Sequence, residues 1–177
     1  AVEAVKTRKI ENVYFVACGG SKAIFDPAQF IFDRETTLPS FVYNANEFIH
    51  RCPKGLGENS LVVTCSHSGN TLETTRATQL AGDKGALTIS FSYRVDSPLW
   101  KATQHPISYV WGPESDPGDN NNGMLYRLVF SILNVLQPNE KYERAIKACD
   151  NLGKVYEANK AKFAESAKAF GKKYKNN

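Results

Sequence analysis

The side chains best suited to chemistry gather in Ser66-His67-Ser68-Gly69-Asn70-Thr71. Hydroxyls, an imidazole and a glycine stand between an apolar run, Leu61-Val62-Val63-Thr64-Cys65, and a helix-like segment that begins at Leu72. Short runs rich in β-branched residues read as buried strands. A strand-to-helix turn built this way offers backbone N–H groups, hydroxyls and the positive end of a helix, which together favour a phosphate. Ser66 or Ser68 alone would serve as a helix cap, so the presence of both points past capping to a bound anion.

Cys18-Gly19-Gly20-Ser21 follows another apolar run, Val13-Tyr14-Phe15-Val16-Ala17. By itself a Gly-Gly turn can exist only to make a tight bend. It is not the dinucleotide fingerprint, since Lys22 to Phe25 stand where further glycine is needed, and no Gly-Lys-Ser/Thr makes it a P-loop. His67 has two readings, a hydrogen-bond donor to a ligand hydroxyl or phosphate, or a polar loop residue oriented by its neighbours. His50 and His105 read as surface residues, and no Gly-x-Ser-x-Gly elbow supports a Ser-His-Asp hydrolase. Glu47, just after a second strand, suits a structural ion pair or a contact to a sugar hydroxyl. Trp111, Glu114, Asp116 and Asp119 flank a long loop that reads as a lid or as a plain acidic loop.

These loops need strands behind them. The predicted strands are 13–17, 38–43, 61–65, 86–91 and 106–110, and the predicted helices are 23–34, 45–51, 72–83 and 124–136. In the third helix Leu72, Ala77, Leu80 and Ala81 are expected to face inward. Asp96-Ser97-Pro98-Leu99 reads as a helix cap with proline in the first turn. Residues 112–123 hold Pro, Asp, Asn and Gly without periodicity and read as loop. After Pro138, the residues Tyr142, Cys149, Tyr156, Phe163 and Phe170 recur every seven positions. That spacing predicts one long amphipathic helix, bent near Gly153. Alternating strands and helices give a mainly parallel sheet covered on both faces, with ligands bound beyond the carboxyl ends of its strands.

The chain has 177 residues, enough for one well-filled domain. A net charge of +4 is small, and its lysines concentrate in the last third among apolar positions, the pattern of a solvated helix face rather than a nucleic-acid surface. Cys18, Cys52, Cys65 and Cys149 form no Cys-x-x-Cys pair, so a metal site and a disulfide framework are both disfavoured and a reducing cytoplasm is expected. No apolar run reaches membrane-spanning length and no signal peptide is evident. The start at Ala1 rather than Met suggests a fragment or a processed chain.

Ser66-x-Ser68-Gly69-x-Thr71 after one buried strand, with Cys18-Gly19-Gly20-Ser21 after another, resembles the SIS (sugar isomerase) family. The resemblance covers roughly residues 10–137. It implies a three-layer α-β-α sandwich around a five-stranded parallel sheet, flavodoxin- or Rossmann-like, followed here by the long C-terminal helix. It also implies a sugar phosphate as ligand, held by Ser21, Ser66, Ser68 and Thr71 with Gly19, Gly20, His67, Gly69 and Asn70 beside them, and Glu47 as a further candidate. Residues 13–21, Tyr43-Asn44 with Glu47-Phe48-Ile49, Gly57-Glu58-Asn59 and Asp96-Ser97-Pro98-Leu99 are similar to the first half of bacterial fructosamine-6-phosphate deglycases. Those are related to the isomerase half of glutamine–fructose-6-phosphate aminotransferase.

Members of that group split a 6-phosphorylated sugar–amino acid adduct with water, giving a hexose 6-phosphate and the amino acid. No metal or organic cofactor is implied. They carry two SIS repeats with the acid/base Glu and His in the second, so no catalytic residue is assigned here. Residues 1–137 are expected to form the phosphosugar-binding domain. Residues 138–177 are expected to form a helical extension or linker toward a second repeat, with pairing to that repeat or a homodimer. Asn70 stands where many members have Glu, a departure that bears on sugar selectivity. The alternatives are an aldose–ketose phosphosugar isomerase and a non-catalytic sugar-phosphate sensor.

Overall fold

The computed structural model describes residues 1–113 and 115–175. Glu114, one of the residues flanking the acidic loop, lies outside the described residues, as do Asn176 and Asn177. Five parallel strands form one sheet in the order β2-β1-β3-β4-β5. They are β1 (Asn12–Ala17), β2 (Ser40–Asn44), β3 (Ser60–Cys65), β4 (Leu87–Ser92) and β5 (His105–Ser108). β3 and β4 are buried along their whole length, which explains why their sequences show no polar alternation.

Alternation along β1 builds the layers. Val13, Phe15 and Ala17 face a core completed by Phe25, Ala28 and Phe32 of α3 (Phe25–Glu35) and by Leu125, Val129, Ile132 and Leu133 of α7 (Asn121–Leu136). Tyr14 and Val16 face the other way, onto Phe48 of α4 (Ala45–Arg51) and Ala77 and Ala81 of α5 (Leu72–Asp83). The helices α1 (Val2–Lys6), α2 (Gly19–Ala23) and α6 (Pro98–Ala102) are single turns at the rims. The expected sandwich is therefore formed, and no helix among the described residues is long and apolar enough to cross a membrane.

Several boundaries differ from the sequence reading. The single helix expected over 23–34 is two, α2 and α3, joined at Ile24. Pro27 has no N–H to continue a helix from α2, but its position in the first turn of α3 is tolerated. Leu72 points outward at 54% exposure, and Thr74, Thr75 and Thr78 take the inward face with Ala77 and Ala81. A buried hydroxyl chain explains that choice: Thr64 Oγ1 lies 3.0 Å from Thr78 Oγ1 and 2.6 Å from Ser90 Oγ. β5 ends at Ser108 rather than Val110. α7 begins at Asn121, inside the expected loop, because Asn120 accepts a cap hydrogen bond from Gly123 N–H at 3.0 Å.

The long terminal helix is also two, α8 (Glu140–Asp150) and α9 (Leu152–Tyr174). Asp116 seats against their junction, where a Cβ on Gly153 would lie 1.7 Å from its Oδ2. Arg127 ties the same corner, with Nε 2.9 Å from Asp150 Oδ1 and Nη1 3.8 Å from Asp119 Oδ1. The seven-residue stripe therefore has two fates. Tyr142 and Cys149 are buried on the body, whereas Tyr156, Phe163 and Phe170 on α9 stay exposed.

Candidate functional site

Strand order decides where a ligand can sit. β1 runs to β2 on one side and pairs with β3 on the other, so the direction of winding reverses between β1 and β3. Crevices in such sheets open beyond the carboxyl ends at that reversal. Register pairs Ala17 with Cys65, the last residues of the two strands. The turns 18–21 and 66–71 consequently begin side by side.

The 66–71 turn is braced from several directions. Ser66 N–H donates to Phe91 O at 3.0 Å, extending the β3–β4 ladder by one residue, and Gly69 N–H closes the turn onto Ser66 O at 3.1 Å. Two carbonyls of the turn accept from the segment after β4: His67 O from Tyr93 N–H at 3.1 Å and Gly69 O from Leu99 N–H at 3.0 Å. Asn70 N–H donates to Ser68 Oγ at 3.2 Å, and the Ser66 and Thr71 hydroxyls lie 2.9 Å apart. Gly69 takes φ +67°, and a Cβ there would meet Ser97 Oγ at 2.0 Å, so both its backbone and its space require glycine.

Among the described residues, the N–H groups of His67, Ser68 and Thr71 have no hydrogen-bond partner. Thr71 is the N-cap of α5 but makes no side-chain cap bond, its hydroxyl being engaged with Ser66. The first-turn N–H groups of α5 therefore lack a side-chain acceptor. The His67 and Gly69 carbonyls are taken by the segment after β4, while three of the turn's N–H groups keep the polarity an anion requires.

The 18–21 turn is looser. Cys18 is the N-cap of α2 without a side-chain cap bond, and nothing lies within 4 Å of a Cβ at Gly19 or Gly20. Burial pushes the Cys65 thiol up to about 12, outweighing the lowering influence of Ser21. Cys65 is thus a protonated, inert thiol beneath the turn, while Cys18 is half-buried at its mouth.

A cleft of about 310 Å³ is lined by Cys18, Gly20, Ser21, His67, Tyr109, Trp111 and Asn121. His67 Nδ1 is 2.8 Å from the Tyr109 hydroxyl. Burial first, and then the nearby Cys65, raises the Tyr109 phenol well above its ordinary value, so it remains protonated. The phenol and the imidazole share this hydrogen bond, whose direction is set by the imidazole tautomer. The hydrogen bond orients the ring toward the cleft residues Tyr109 and Trp111.

The remaining candidates fall elsewhere. Glu47 pairs with Arg51 across one turn of α4 at 2.8 Å, the ion-pair arrangement. His50 is exposed, and His105 is half-buried at the start of β5, where burial lowers its imidazole. Tyr93, Tyr109 and Asn121 were not singled out from sequence. Their common signal is position, since each stands just beyond a strand or at a helix start on the carboxyl rim.

Comparison with known proteins follows the same geometry. The chain is 47% identical over 172 residues to the fructosamine deglycase FrlB of Bacillus subtilis, covering 97% of this chain and 52% of that one. It is 30% identical to the fructoselysine 6-phosphate deglycase of Escherichia coli K12, over 78% of this chain and 40% of that one. A crystal structure from Bacillus subtilis, assigned to the phosphosugar isomerases, superposes with a TM-score of 0.90 at 46% identity, covering 99% of this chain and 54% of that one. The chain thus spans about half the length of these relatives. Residues 6–137, which hold the whole sheet and both turns, match the SIS domain model, and the chain belongs to that family.

Proposed function

We propose that this chain is a phosphosugar-binding SIS domain and the N-terminal half of a fructosamine-6-phosphate deglycase. The observation that carries the first part is the set of unpartnered N–H groups at His67, Ser68 and Thr71, beside the Ser66, Ser68 and Thr71 hydroxyls. The likeness to two deglycases supports the second. Ser21, Gly19 and Gly20 border the anion from the neighbouring turn, and Asn70 and Glu47 remain candidates for contacts to the sugar.

In the intact enzyme the 6-phosphate is the handle. Its binding energy orients the reactive C1–C2 end of the substrate. A carboxylate and a histidine of a second SIS repeat then move protons among C1, C2 and the amine nitrogen, and water releases the amino acid from the hexose 6-phosphate. This chain by itself is expected to bind and not to turn over. Residues 138–177 would extend toward that second repeat, or toward a second copy, and the exposed Tyr156, Phe163 and Phe170 suit such a contact. Free cysteines suit a cytoplasmic setting.

An aldose–ketose phosphosugar isomerase is the second reading, supported by the assignment of the superposed Bacillus subtilis structure. Calorimetry with glucose 6-phosphate tests the anchor that both readings share. Ser66→Ala with Ser68→Ala removes two hydroxyl donors and should weaken binding by about 1–3 kcal/mol per donor to a charged group. Unchanged affinity would overturn the anchor. Release of amino acid from a fructosamine 6-phosphate by the intact enzyme, without aldose–ketose interconversion, separates deglycase from isomerase.

A further inference from the structure

The rings around His67 are more extensive than an anion site needs. Tyr93 stacks on the imidazole at 5.3 Å and 6°, Tyr109 lies at 5.8 Å, and Trp111 meets it edge to face at 5.0 Å and 71°. The four come from the connections after β3, β4 and β5, so three separate segments converge on one aromatic cluster. Tyr109 is buried beneath it, but Trp111 is 61% exposed. Val110, which precedes the indole, is anchored by its N–H to Asp119 O at 2.8 Å. An indole fixed against a partner, with much of its surface open to a cleft, is a recognition surface rather than a stray apolar residue.

We propose that Trp111, braced by His67, is the platform on which the carbon skeleton of the phosphosugar stacks. This rests on the phosphate-binding reading of the 66–71 turn and adds to it the group that distinguishes a sugar phosphate from phosphate alone. His67 is the physical link, since its backbone belongs to the phosphate turn and its ring touches the indole. The cleft lining combines the aromatic side chains of Trp111 and Tyr109 with the polar side chains of Ser21 and Asn121. A sugar has the matching chemistry, with C–H groups for the indole and hydroxyls for the polar side chains. The platform sets specificity and touches no bond that is made or broken.

The experiment is a pair of titrations, glucose 6-phosphate and inorganic phosphate, on the wild type, Trp111→Ala and Trp111→Phe. Trp111→Ala should weaken glucose 6-phosphate at least about tenfold, leave inorganic phosphate within about twofold, and Trp111→Phe should recover part of the loss. In a Trp100→Phe background, where Trp111 is the remaining indole, its emission should respond to glucose 6-phosphate and not to inorganic phosphate. Equal loss of both ligands in Trp111→Ala would mean the indole only shapes the turn, and the platform would be wrong. Unchanged binding of both would reject the platform and leave the phosphate turn standing. Failure of the wild type to bind either ligand would remove the phosphate site and the platform with it.

Discussion

The two turns that meet between β1 and β3 use glycine for different reasons. At Gly69 the chain is locked: φ is +67°, Ser97 Oγ occupies the space of a Cβ, and neighbouring segments hold the turn's carbonyls. At Gly19 and Gly20 nothing lies within 4 Å, and only Gly19 has a positive φ, +54°. The first turn is shaped before any ligand arrives, whereas the second is open and contributes chiefly through Ser21. Preorganised donors lose little entropy on binding, so the 66–71 turn should dominate affinity and the 18–21 turn should modulate it.

Glycine substitutions break or sharpen that contrast. Gly69→Ala carries both backbone strain and a collision with Ser97, and is expected to cost about 2–4 kcal/mol of stability and to abolish glucose 6-phosphate binding. Denaturant unfolding and calorimetry read the two effects. Adding Ser97→Gly clears the collision but leaves the φ penalty and removes the N-cap of α6, whose Oγ accepts from Trp100 N–H, so rescue should be partial. A Gly69→Ala protein that melts and binds like the wild type would erase the distinction between the turns.

Substitutions in the open turn should be milder. Gly19→Ala meets only the positive-φ penalty, about 1 kcal/mol. Gly20→Ala sits in helical backbone with free space around it and should be neutral or stabilising by up to ~1 kcal/mol. Thermal melts of the two variants, compared at equal pH, test whether conformation or space is what the second turn needs. A large loss at Gly20 would show that the turn is closed by contacts that its open surroundings do not suggest.

The strand-turn-helix unit around residues 66–71 and the sheet are legible because both are written locally. A β-branched run, small hydroxylated residues and a helical period stand consecutively in residues 61–83, and the helix Leu72–Asp83 has the predicted limits. Ala77 and Ala81 face inward as expected and Leu80 packs on the core, but Leu72 faces out, although side-chain hydropathy favours it over the buried Thr74 and Thr78. The buried hydroxyl chain through Thr64 and Ser90 pairs those threonines only after β3 and β4 are adjacent.

The aromatic cluster was hidden for the same reason. His67, Tyr93, Tyr109 and Trp111 are far apart in sequence, and only parallel strand order brings their connections together. Tyr109 looked like part of a strand, and the loop 112–123 concealed the start of α7 because Asn120-Asn121-Asn122 has no apolar period. The terminal helix kept its heptad stripe through a break that Asp116, distant in sequence, seats against. Local pattern records what a segment prefers, and it is silent where a distant side chain decides.

Backbone amide resonances followed during titration with glucose 6-phosphate test phosphate anchoring at the β3–α5 turn most directly. The N–H signals of His67, Ser68 and Thr71 should move first and farthest, with smaller changes at Gly20 and Ser21. The opposite rim supplies the counter-case, a cleft of about 450 Å³ lined by Arg8, Lys9, Glu58, Asn59 and Gly85 that also offers positive charge. Shifts confined to those residues, with the 67–71 amides unmoved at saturation, would contradict the assignment of the phosphate to the turn.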